Sequence, residues 1–76
     1  MITKREEEYF EKVKYEMREF RKRGANSRDV SIFLLGMCAM MDMSIEYCNA
    51  KISKGFYEKL YEYAEFEKDN WNNGIN

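Results

Sequence analysis

The chain predicts an all-α fold, a single three-helix domain over residues 1–76 built as a helical hairpin plus a third helix. Three observations carry that expectation. Proline is absent and β-branched residues are sparse, so strong helix formers dominate. Two lysine- and glutamate-rich segments repeat apolar residues at helical spacing. Between them runs a twelve-residue stretch, Val30 to Met41, without a charge. A helix apolar nearly all round must be buried nearly all round, which places this segment at the centre of the domain.

The first helix is expected over about 4–23. Thr3 and Glu6 have capping-box spacing, in which each side chain satisfies a backbone donor of the other. Glu6, Glu7 and Glu8 suit the positive end of the helix dipole, and Arg21, Lys22 and Arg23 the negative end. Phe10, Val13, Met17 and Phe20 form one narrow apolar stripe. Glu8–Lys12 and Glu19–Arg23 have the spacing of supporting ion pairs. Gly24 is the natural stop.

Asn26 or Ser27 can cap the second helix, expected over about 28–48, with Asp29 in its first turn. On a helical wheel Ser31, Leu35, Cys38, Asp42, Glu46 and Asn49 share its polar side. Ser31, Gly36, Ala39 and Ser44 are small enough for another helix to approach closely. Ser53 can cap a third helix over about 54–71. Its Phe56, Leu60 and Tyr63 make one row and Tyr57, Tyr61 and Ala64 a second, together broad enough to pack on the second helix. The tail, residues 72–76, reads as flexible.

A domain this short sits near the limit at which one core suffices. Oligomerisation or very tight packing must help where disulfides and metals do not. Cys38 and Cys48 are ten residues apart, about 15 Å along one helix, beyond the roughly 7 Å a disulfide spans. Two buried free thiols are expected, in a reducing compartment. With no histidine and two cysteines, no zinc site is expected, nor any cofactor. The N-terminus, Met-Ile-Thr-Lys-Arg-Glu-Glu-Glu, lacks the apolar stretch of a signal peptide. Twelve charge-free residues are short of a membrane span. A cytoplasmic location follows as the expectation.

Neither cysteine has a histidine base, and no phosphate loop or Glu-x-x-His motif is present, so a non-enzymatic role is expected. Four clusters remain. The basic cluster Arg18, Arg21, Lys22, Arg23 and Arg28 reads either as an anion or nucleic-acid contact or as a helix end matched to its dipole. A helix-turn-helix reading would turn Lys51, Lys54 and Lys59 toward DNA, but Glu58, Glu62, Glu65, Glu67 and Asp69 follow and repel phosphate. Met37, Met40, Met41 and Met43 read mainly as core. They point in several directions, however, so part of them should form an oligomer interface, most simply in a homodimer. Tyr61, Glu62, Glu65, Phe66 and Trp71 are candidate contacts to a protein partner, because exposed aromatics with polar tips favour interfaces.

The net charge of −1 argues against binding nucleic acid through an overall field. The chain is short, lacks Pro and His, and is rich in Lys, Glu, Asn and Tyr. In that general character, though in no specific motif, it resembles the small accessory proteins of bacteriophages and mobile elements, anti-CRISPR proteins among them. The resemblance implies a stoichiometric inhibitor or regulator that binds and blocks a larger host complex. A small nucleic-acid-binding regulator using residues 18–28 is the alternative.

Overall fold

Capping chemistry sets where the helices begin. In a computed structural model describing residues 1–74, α1 spans Lys4–Lys22, α2 Ser27–Cys48 and α3 Lys54–Asn72, with no strand among the described residues. Thr3 and Glu6 form the expected capping box: the Glu6 N–H donates to the Thr3 hydroxyl at 3.1 Å and the Thr3 N–H to the Glu6 carboxylate at 2.9 Å. A second box, Asn26 with Asp29, opens α2. Asn26 is therefore the cap, and Ser27, the other candidate, is the first helical residue and fully buried. α1 closes one residue earlier than expected, on Gly24 at φ +106°. The Ala25 N–H then reaches back to the Phe20 carbonyl and the Gly24 N–H to that of Arg21, the paired bonds of a Schellman stop.

α3 begins differently. Ser53 holds the cap position, yet its side chain makes no capping bond to its own helix. Its hydroxyl donates instead to Glu6 of α1 at 2.6 Å, and its N–H to the same carboxylate at 3.0 Å. Glu6 thus joins the start of α1 to the start of α3.

The helices run up, down and up. Tyr57 bonds to Asp42 and Arg28 lies over the Trp71 ring, so α2 and α3 are antiparallel and closely packed. Glu6 meets Ser53 and Arg21 meets Glu67, so α1 runs parallel to α3. α1 approaches the hairpin less closely, joining the core through Phe10, Val13 and Met17.

Small side chains set the rotation of α2. Ser27, Ser31, Leu34 and Cys38 are buried, at spacings of four, three and four, against Phe56, Leu60, Ala64 and Glu67 of α3. Of the polar side, Ser31 and Cys38 turn inward, where their small side chains permit the close approach that α3 makes, while Asp42, Glu46 and Asn49 are exposed. Ser31 satisfies itself by donating to the Arg28 carbonyl at 2.8 Å, and Asp42 accepts from Tyr57 at 3.1 Å. Gly36 and Ala39, expected at a close helix contact, are exposed.

Two further expectations change. Cys38 is buried but Cys48 is exposed, because Cys48 ends α2 before α3 has begun. Around α1, Glu11–Lys14 and Glu19–Lys22 are paired rather than Glu8–Lys12 and Glu19–Arg23. Of the expected tail, Asn72 completes α3 and Asn73 and Gly74 close it; residues 75–76 lie outside the described residues.

Two outcomes follow. Leu34 and Leu60 are fully buried, so Leu34→Ala and Leu60→Ala should each lower unfolding free energy in urea by about 3 kcal/mol. Tyr15→Ala, on the solvent side of α1, should change it by less than about 0.5 kcal/mol. The Ser53 hydroxyl, then the Thr3 and Ser53 N–H groups, hold the Glu6 carboxyl down at about 2, from an ordinary 4.5. A depressed folded value gives stability that is present above 4.5 and lost as pH falls toward about 2. Glu6→Gln should therefore flatten the melting temperature against pH across that window and lower it at neutral pH.

Candidate protein-docking surface

Ile32, Phe33, Met40, Met43 and Tyr47 share the face of α2 opposite α3 and are at least half exposed, Met40 at 63% and Tyr47 at 74%. Phe33, Gly36, Met40, Met43 and Tyr47 follow one another at spacings of three and four, the repeat of a helix-pairing seam. α2 thus carries two such seams, one spent on α3 and one open. Met37 and Met41 are half-buried against the core, whereas Met40 and Met43 are exposed.

Beside the open seam, α1 and α2 splay apart. A trough of about 540 Å³ lies between them, with Tyr9, Val13, Met17 and Phe20 on one side and Phe33 and Met37 on the other. Lys12, Glu16 and Arg23 stand at its rim. It continues past Gly36 and Met40 to Ile52 and Phe56. A smaller cleft of about 230 Å³ sits between Phe20, Asp29, Ile32 and Phe33. Apolar floors with charged rims of both signs suit a protein side chain or helix better than a charged small molecule.

The basic cluster is not a free patch. The Arg21 guanidinium donates to Ser27 at 3.0 Å and pairs with the buried Glu67. Lys22 pairs with Glu19 at 2.8 Å, and Arg28 lies 5.7 Å over the Trp71 ring. Among the described residues no carboxylate lies within ion-pair distance of Arg18 or Arg23. The ligation of Arg21 was hidden in the sequence because Glu67 is 46 residues away.

The aromatic residues of α3 do not converge. Tyr61 stacks on Tyr57, and Glu65 beside it pushes its phenol up. Trp71 is engaged by Arg28. Phe66 is exposed at 60%, and five residues from Trp71 it projects about 140° away. Glu62 is exposed and Glu65 partly exposed, on the side of Phe66 away from Trp71. No group of three His, Cys, Asp or Glu side chains is placed to hold a metal among the described residues. Burial, with Asp42 nearby, pushes the Cys38 thiol up, which disfavours the reactive thiolate.

Ile32, Phe33 and Tyr47 were not singled out from sequence as contact residues, although the three-and-four spacing through Phe33 and Tyr47 was there to read. α2 also proves longer and more apolar than its charge-free core suggests. By length and composition it could cross a membrane, with mean hydropathy 1.4 in its most apolar window and 22% of that window buried.

Because Glu67 is buried, removing its cation leaves an uncompensated charge. Arg21→Ala should cost about 2–3 kcal/mol in denaturant unfolding, and Arg21→Met with Glu67→Leu should be less destabilised than Arg21→Ala alone. A salt-dependent nucleic-acid test of this region accordingly belongs on Arg18 and Arg23.

No family model, curated protein or solved structure matches this chain, so its function is argued from the geometry of the α2 face.

Proposed function

We propose that this chain is a non-enzymatic protein–protein interaction module, self-associating, that binds a larger protein complex stoichiometrically and inhibits or regulates it. The supporting observation is the open apolar seam of α2 with the trough beside it. Exposed apolar side chains aligned over four turns cost solubility unless a partner covers them. A row at helical spacing on a regular helix is the shape that another helix covers best. The likeness in size and composition to phage and mobile-element accessory proteins supports the inhibitory form of the reading. Residues 18–28 supply a weaker case for nucleic acid, since Arg21, Lys22 and Arg28 already have intramolecular partners.

The test compares tagged wild-type chain with Met40→Glu and Met43→Glu as baits in host lysate. Both positions are exposed, so the variants should stay helical by circular dichroism. A host protein retained by the wild type should be lost, by roughly tenfold or more, with either variant. Equal recovery with all three baits, or none with any, would overturn the reading.

A further inference from the structure

We infer that the open seam of α2 is covered by α2 of a second copy of this chain, packed antiparallel so that Gly36 of each protomer receives Met40 of the other. This rests on reading the α2 face as a protein-docking surface and names its occupant in the free protein, which a larger partner would displace.

Area is the first argument. The chain exposes 5659 Å², whereas a monomer of its 9.2 kDa exposes about 4900 Å². The excess, about 700 Å² by the same scaling, approaches the roughly 800 Å² each partner contributes to a standard interface.

Register is the second. In an antiparallel pair whose residue numbers sum to 76, Gly36 faces Met40 of the partner subunit and Phe33 faces Met43 of the partner subunit. A side chain built at Gly36 would meet nothing within 4 Å, so the gap there is open to the partner's Met40. Asp29 then faces Tyr47 of the partner subunit. That phenol falls at the cleft formed by Phe20, Asp29, Ile32 and Phe33, where the Asp29 carboxylate can accept its proton. A parallel pair would set Gly36 on Gly36 and Asp29 on Asp29, leaving a void and opposing like charges. Antiparallel helices also set their dipoles favourably.

Charge is the third argument, and it separates protein from lipid. An apolar helix face that meets a bilayer surface is flanked by Lys and Arg. α2 has no lysine, and its C-terminal half carries Asp42 and Glu46.

The experiment uses the full chain, by light scattering on a size-exclusion column over a wide concentration range. The wild type should run at twice 9.2 kDa, and Met40→Glu should return to 9.2 kDa with its helicity kept. In a Cys48→Ser background, mild oxidation should cross-link Ala39→Cys, which flanks the two-fold axis, and leave Met43→Cys unlinked. The buried Cys38 stays out of that chemistry. Cross-linking of Met43→Cys in place of Ala39→Cys, or a Met40→Glu dimer, would overturn the register. A monomer at every concentration would overturn the second copy. In that event Met40-dependent capture of a host protein would assign the face to another protein and preserve the docking reading. Met40-dependent co-sedimentation with phosphatidylcholine–phosphatidylglycerol vesicles would assign it to lipid, and loss of both behaviours would sink the docking reading too.

Discussion

One guanidinium touches all three helices. Arg21 leaves α1, donates to Ser27 at the start of α2 and pairs with Glu67 near the end of α3. The rest of the fold is organised around that junction because α1 has little else to fix its rotation. It meets the hairpin through large side chains rather than by close backbone approach. Apolar contacts are tolerant of small rotations, whereas a buried carboxylate is not. Glu67 needs its cation in one place, and Ser27 can lie wholly inside only because its hydroxyl accepts from that cation. The polar junction thereby selects one packing of α1 among several of similar apolar burial.

The opposite end of the molecule repeats the principle with different chemistry. There the Glu6 carboxylate accepts from Thr3 and from both the N–H and hydroxyl of Ser53. One side chain finishes two helix starts. Between the two polar fastenings, α1 and α2 diverge around an apolar trough, and α2 presents a second pairing seam to the outside. The open surface therefore lies on the side of α2 that neither α3 nor the Phe10, Val13 and Met17 stripe of α1 covers.

Much of this was legible in the residues, and what was not has a physical reason. The three helices and their starts were readable because capping boxes and an αL-compatible glycine are local signals: Thr3 with Glu6, Asn26 with Asp29, Gly24. The orientation of α2 was not. α2 has apolar residues on both sides, so its helical wheel does not say which side meets α3, and small size rather than polarity decided it. Ser27, Ser31 and Cys38 went inside because they are short. The partners of the basic cluster were hidden for a different reason. Arg21 looks free in the sequence and is committed in the fold by a partner 46 residues away. The exposed apolar face of α2 was half visible: Met40 and Met43 were named, while Ile32, Phe33 and Tyr47 were not singled out.

The attachment of α1 also bears on how the molecule can yield. The polar anchors of α1 sit at its ends and Phe10, Val13 and Met17 hold its middle against the core, so the exposed side chains along the trough can move before the helix detaches. Side-chain rotation at Tyr9, Phe20 and Phe33 can widen the channel beneath α1 while Glu6 and Arg21 keep their anchors. The trough can thus change its width at the cost of a few rotamers, without surrendering a helix.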